Sequence, residues 1–196
     1  MKKLGNWELT GVELSPRASQ KARDAYGVDV FTGDLLEANF QDNKYDLVTL
    51  WNVLEHVYDP SATLHEVWRI LRSGGLMIIR IPNPESLAAR VFGKYWAGLD
   101  LPRHLFLFRK NLLVKMAEKA GFALVGTSSW GFMWPTSVKY WQNGRVKNQG
   151  SIRSAIAQIV YRLSQNIIVR SLSFPFWEFI NRIGLGENVT FVFKKG

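Results

Sequence analysis

The sequence contains no cysteine, which excludes a disulfide framework, a thiolate metal site and a cysteine nucleophile, and favours a reducing, cytoplasmic setting. Histidine is scarce too. His56, His65 and His104 are the three present, and none is spaced as a metal-binding pair on one helix turn, so no metal is expected. There is no apolar run of about 18 residues that could span a bilayer as a helix. Two lysines follow Met1, but no apolar signal-peptide core follows them, since Trp7 to Thr10 soon meets charge; export is not expected. Acidic residues are few in one half: residues 101–196 hold 3 against 14 basic ones, whereas residues 1–100 hold 13 against 11. The formal charge of +9 therefore belongs to the second half. That asymmetry suits an anionic partner, nucleic acid or lipid headgroups, although basic residues spread over a solvated surface give the same count. Apolar residues are plentiful: 47% of 196 is enough for one packed domain and short for two.

The first 130 residues alternate short β-rich runs with helical patterns, the signature of a parallel sheet with crossover helices. Trp7 to Leu14 reads as a strand, and Ser15-Pro16 supplies an N-cap and first-turn proline for a helix to about Tyr26, ended by Gly27. Val28 to Phe31 is a short strand. Tyr45 to Trp51 has the near-continuous apolar character of a central strand covered on both faces. Asp59-Pro60 opens a helix carrying Leu64, Val67, Trp68 and Leu71 at helical spacing until Gly74-Gly75. A buried strand, Leu76 to Ile81, then a helix near Asn111 to Ala120, β character from Phe122 to Trp130 and a last strand, Asn188 to Lys194, complete the pattern.

Residues 135–187 interrupt that pattern before the last strand. Ile152, Ile156, Ile159, Val160, Leu163 and Ile167 line one helix face and Arg153, Ser154, Gln158, Arg162 and Gln165 the other, giving a basic amphipathic helix followed by the aromatic run Phe174-Pro175-Phe176-Trp177. Such a segment packs as a helical cap on the domain, or docks over 152–183 on a membrane surface or an apolar substrate.

Ligands in open α/β sheets sit beyond the carboxyl ends of the strands. Polar residues just past four expected strands are therefore candidates: Glu13, Asp34, Asn52 to His56, and Asn83. A carboxylate can accept from both hydroxyls of a ribose, which suits Glu13, although acidic residues at such points also serve as plain caps. Together, the segments TGVELSP (10–16), GDLLEANF (33–40), YDLVTLWNVLEHVYDP (45–60), LHEVWRILRSGGLMIIRIPNP (64–84) and KYWAGLDLPRHLFLF (94–108) resemble class I S-adenosylmethionine-dependent methyltransferases, and among them the group with the ubiquinone-biosynthesis O-methyltransferases. The resemblance covers about residues 4–125. It implies a Rossmann-like, doubly wound, mostly parallel α/β sheet, S-adenosylmethionine as cofactor, and methyl transfer to a small-molecule or lipid-linked acceptor, with oxygen the favoured target. It implies that Glu13 holds the cofactor ribose, that Leu14 packs on the adenine, that Asp34 and Leu35 flank the adenine, and that Trp51 and Asn52 line the methionine end. His56 is expected toward the acceptor, where an imidazole can take a proton near neutral pH. His104 is a second catalytic candidate, and Asn83, Tyr95, Trp96 and Arg103 are expected to bind the acceptor. His65 is read as a surface or packing residue.

The chain departs from the family at its start. Relatives open with a strand and a turn of the form D-x-G-x-G-x-G, whose glycines let backbone approach the cofactor; Gly5, Gly11 and Gly27 do not reproduce it. The expectation is a domain truncated at its N-terminus, lacking its first strand and helix, with a helical insertion before its last strand. A start placed at an internal methionine is preferred over a shortened, inactive homologue or a strand lent by another chain. In relatives the absent strand lies mid-sheet, between those matching Trp7–Leu14 and Tyr45–Trp51. Three rival functions stand beside methyl transfer: a nicotinamide-dependent dehydrogenase, which shares the ribose carboxylate but not the LEH and PRH segments; a non-catalytic module docking on the inner membrane face; and, more weakly, nucleic-acid binding, because the aromatics lie in apolar patterns.

Overall fold

In the computed structural model the described residues are 5–131, 136–140, 159, 162, 163 and 165–196, the side chains of residues 167 and 170 excepted. Six strands fall into two sheets. β1 (Thr10–Glu13) and β2 (Asp29–Thr32) form a parallel pair, Glu13 opposite Thr32. β3 (Tyr45–Trp51), β4 (Leu71–Pro82), β5 (Phe122–Trp130) and β6 (Asn188–Lys195) form a second sheet in the order β3-β4-β6-β5. There β3 and β4 are parallel, while β6 runs antiparallel to both its neighbours. Among the described residues no strand pairs with the other edge of β1 or of β3. β3 is thus an edge strand rather than the expected central one, and only Leu50 in it is fully buried.

Local chemistry explains the helices. α1 (Pro16–Tyr26) starts where Ser15 Oγ accepts from the Ala18 amide and stops at Gly27, whose φ of 57° is the left-handed conformation of a helix end. α2 (Pro60–Ile70) is capped by Asp59, whose carboxylate accepts from the Ala62 amide at 2.9 Å. It ends at Ile70, earlier than the Gly74-Gly75 stop, because Leu71 is already extended and opens β4. α3 (Leu87–Phe92) is capped by Ser86. α4 (Lys110–Lys119) and α5 (Ile167–Arg182) complete the named helices, α5 with Asn166 as its cap. Residues 136–140 are also helical. Much of the expected amphipathic helix of 152–167 lies outside the described residues.

The core sits on one face of the four-stranded sheet. Met77, Ile79 and Ile81 of β4 and Val189, Phe191 and Phe193 of β6 pack with Leu64 and Val67 of α2 and Leu113 and Ala117 of α4. Alternate residues Leu76, Ile78 and Arg80 are half-buried or exposed, so β4 is one-sided where the sequence reads as buried throughout. Trp68 lies partly exposed; Lys195 covers its ring at 3.9 Å and donates to Asn43 Oδ1 and the Leu71 carbonyl. The segment between β2 and β3 is held to the four-stranded sheet's core by Leu35, which packs on it, and to α2 by Arg69, which pairs with Glu66 and Asp42 and donates to the Phe40 carbonyl. Those pairings, Glu66 first and then Asp42, hold the Arg69 guanidinium above the ordinary arginine range.

Candidate functional site

β3 ends at Trp51, and the chain turns sharply because Asn52 takes a left-handed φ of 53°. Asparagine tolerates this better than most residues. The turn is tied down by Asn52 N–H donating to the Arg80 carbonyl and His56 N–H donating to the Val53 carbonyl, both at 2.9 Å, and by fully buried Leu54. A second loop, between α3 and α4, is laid against it: the amides of Leu105 and Phe106 both donate to the Glu55 carbonyl. Asp100, at φ 31°, reverses that loop and accepts from the amides of Arg103 and His104.

This pairing brings His104 to the adjacent Glu55 and His56, which sequence places far from it. His56 Nδ1 lies 2.8 Å from the Arg103 carbonyl, and His104 Nδ1 lies 2.8 Å from the Gly98 carbonyl. A carbonyl only accepts, so both Nδ1 atoms carry a hydrogen, and in the neutral tautomer this selects the lone pair sits on Nε2. The two rings are 4.7 Å apart, centroid to centroid. Glu55, only 1% exposed, accepts from Asn52 Nδ2 through Oε1 at 3.0 Å; its Oε2 is buried without a partner, and Oε1 is 4.0 Å from His104 Nε2. Glu55 is the residue that sequence reasoning missed. The signal was present, since it directly precedes His56 after a strand end.

The other anticipated residues divide. Glu13 ends β1, with Oε1 accepting from the Ser15 amide at 2.8 Å. Asp34 is one strand across, since Gly33 N–H donates to the Glu13 carbonyl; its Oδ1 caps a short turn of 3₁₀ helix, Leu35–Glu37, by accepting from the Leu36 amide. Leu14 and Trp51 present large apolar surfaces, 71% and 47% exposed. The Arg80 guanidinium lies over the Trp51 ring at 4.5 Å and near Trp130 at 5.5 Å. The expectation for Asn83, a residue binding the acceptor, is contradicted, while Leu35 is half-buried and packs against the core. Asn83 is fully buried, its Nδ2 donates to the carbonyls of Gly184 and Gly186, and its Oδ1 accepts from the Glu85 amide, so it clasps two loops. Trp96 is likewise buried, at 4% exposed, and packs against Gly98. Tyr95 is half-buried with Lys94 beside its ring. Arg103 faces solvent in an ion pair with Asp100, which raises its pKa further, and contributes its backbone carbonyl to His56. His65 is exposed and returns Nδ1 to its own helix at the Ser61 carbonyl.

A cavity of about 390 Å³ lies elsewhere, between β5 and α5, lined by polar residues including Ser129, Glu178 and Asn181. No described helix is long and apolar enough to cross a membrane.

Residues 1–127 match the family model described as "Methyltransferase domain". The demethylmenaquinone methyltransferase of Staphylococcus saprophyticus is 33% identical over 145 residues, covering 62% of this chain and 62% of its own length; the chain thus spans about three-fifths of that relative. Among solved structures, an S-adenosylmethionine-dependent methyltransferase of Thermotoga maritima matches with a TM-score of 0.61 at 21% identity, over 96% of this chain and 73% of the other. The [4+2]-cyclase SpnF matches with a TM-score of 0.59 at 17% identity, over 98% and 67%, so the fold by itself does not dictate one reaction. On the family match, the strand order and these likenesses, the chain belongs to the class I S-adenosylmethionine-dependent methyltransferases, with S-adenosylmethionine as the family's cofactor.

Proposed function

We propose that the protein transfers a methyl group from S-adenosylmethionine to a hydroxyl oxygen of a small or lipid-linked acceptor. The observation that carries this is the imidazole pair of His56 and His104, rings 4.7 Å apart with each Nδ1 bonded to a backbone carbonyl, next to Glu55 4.0 Å from His104 Nε2 at the carboxyl end of β3. The residues present suit the cofactor's two ends. Glu13 and Asp34 each spend one carboxylate oxygen on a local amide, leaving the other for ribose hydroxyls and the adenine amine. Leu14 and the open face of Trp51 offer apolar cover for the nucleoside and the methionine chain. When bound, that cofactor supplies a methyl carbon on a sulfonium.

This chain's part is to hold the acceptor so that its oxygen lies in line with that carbon. The acceptor hydroxyl donates to the Nε2 side of the His56 and His104 pair, and its proton leaves on that side, where His56 is open to solvent. With its proton withdrawn on that side, the oxygen would be free to take the methyl group that the cofactor would supply, the bonding pair remaining with sulfur. The Staphylococcus relative is named for demethylmenaquinone, which makes hydroxylated quinols with isoprenoid tails the first acceptors to try. The test is transfer of radiolabelled methyl from S-adenosylmethionine to such a panel by the wild-type chain, His104→Gln and His56→Gln. Methylation that falls at least about tenfold in both variants, with S-adenosylhomocysteine binding retained, supports the reading. Methylation indifferent to both histidines, or none with any hydroxylated acceptor despite cofactor binding, counts against it.

A second reading rests on α5. Ile168, Leu172, Phe174, Phe176 and Phe179 are each more than half exposed, an apolar surface suited to a lipid interface near basic residues. In this reading the chain docks on anionic membranes without catalysis. Co-sedimentation with anionic vesicles that Leu172→Asp and Phe176→Asp abolish supports it; sedimentation that ignores both removes its basis.

A further inference from the structure

Glu55 poses an unbalanced account inside the candidate site. Its carboxylate is almost wholly buried, one oxygen takes a single hydrogen bond from Asn52, and the other has no partner. A buried anionic oxygen with no donor or cation is costly. The nearest imidazole nitrogen, His104 Nε2, is 4.0 Å from Oε1 and beyond hydrogen-bonding reach, and with Nδ1–H given to the Arg103 and Gly98 carbonyls the neutral rings of His56 and His104 keep their lone pair on Nε2. A carboxylate and two imidazole lone pairs cannot satisfy one another. They can all satisfy a cation.

We propose that Glu55, His56 and His104 bind a divalent transition-metal ion through one carboxylate oxygen and two Nε2 atoms. One donor atom from each of the three lies within 4.8 Å of the others. A tetrahedral ion with ligands at about 2.1 Å sets its donors about 3.4 Å apart, so the widest pair closes by about 1.4 Å. His56 is the exposed member. Donation of the second ring nitrogen to a backbone carbonyl is the arrangement that orients metal-bound histidines, and it is present twice. Absence of cysteine and presence of two imidazoles select the manganese-to-zinc series over magnesium or calcium, which prefer oxygen alone. The spacing rule applied to the sequence missed the site because its ligands come from two loops, not one helix.

Three protein ligands leave a position open for water or for an acceptor oxygen. A hydroxyl bound there becomes more acidic and loses its proton to water, with the imidazoles holding the ion instead of the proton. This last step rests on the methyl-transfer reading; the metal site itself does not.

The test reads binding, not turnover. The full chain, stripped with chelator, is titrated with Zn²⁺ and with Mg²⁺ by calorimetry, and with Co²⁺ by its visible absorption, alongside Glu55→Gln, His56→Gln, His104→Gln and His65→Gln, each checked for folding by circular dichroism. The expected result is one Zn²⁺ per chain, no Mg²⁺ binding, a tetrahedral-type Co²⁺ spectrum, and affinity lowered at least about a hundredfold in His56→Gln and His104→Gln but unchanged in His65→Gln. If Glu55→Gln fails to fold, the exposed His56 variant alone decides. No Zn²⁺ binding by the folded chain, or binding that His56→Gln and His104→Gln leave unchanged, overturns the site. Zn²⁺ bound as expected with no methyl transfer would leave the site standing and defeat only the reaction; methyl transfer without Zn²⁺ binding would do the reverse.

Discussion

The two sheets are built to different standards. In the four-stranded sheet, β4 and β6 bury alternate residues completely and share a core with α2 and α4, and the loops at its end fix Glu55, His56 and His104 through backbone bonds. In the two-stranded sheet every β1 residue is half-buried, only Val30 of β2 is buried, and the acidic residues are held by bonds to their own loops. The difference separates two tasks. On the proposed reading the acceptor side is held by backbone bonds between loops, whereas the proposed cofactor side leaves Leu14 and, at the tip of β3, Trp51 exposed.

That contrast can be broken first in the core. Phe191→Ala should cost about 3–5 kcal/mol, read by denaturant unfolding, and should abolish the four-stranded sheet's cooperativity; Val30→Ala should cost about 1–2 kcal/mol. Equal costs would mean the sheets are equally packed. Next, Glu13→Ala should weaken S-adenosylhomocysteine binding by roughly tenfold or more, as loss of a charged hydrogen bond does, while leaving the unfolding midpoint near wild type. Gly98→Ala drives a methyl into the buried Trp96 indole. The expected cost is about 1–3 kcal/mol, accompanied by a shifted His104 imidazole resonance, because Gly98 carries the carbonyl that His104 bonds.

The smallest effect concerns the tie between α2 and the loop before β3. Arg69→Ala should cost about 1 kcal/mol, since a partly exposed network is screened by solvent. Its folded pKa is raised above the unfolded value, so its stabilisation is complete below the unfolded value and fades only as pH rises past the folded one. The cost of Arg69→Ala should therefore be the same at about pH 6 and pH 10; a cost that shrinks over that window would contradict the pairing.

Much of this was legible in the sequence, for stated reasons. Ser15-Pro16 and Gly27, and Asp59-Pro60, bracket helices through local bonds alone, and local bonds are what residue order records. What failed depends on tertiary context. The apolar run of β3 suggests a strand covered on both sides, but pairing on one edge decides its burial. Asn83 and Trp96 sit beside the site in sequence, yet loop packing turns both inward. Asp34 and Leu35 stand at a strand end as a ligand contact would, and one also caps a turn while the other packs against the core. The convergence of His56 and His104 needs two loops zipped through the Glu55 carbonyl, which no spacing reveals.

Hydrogen exchange on the whole chain, with and without S-adenosylhomocysteine, tests the division most directly. Added ligand should slow exchange at the amides of β1 and β2 and around Asp34, while β4 and β6, already protected, remain unchanged. Exchange in β1 and β2 that ignores the ligand, or protection there already equal to that of β6, would contradict the account.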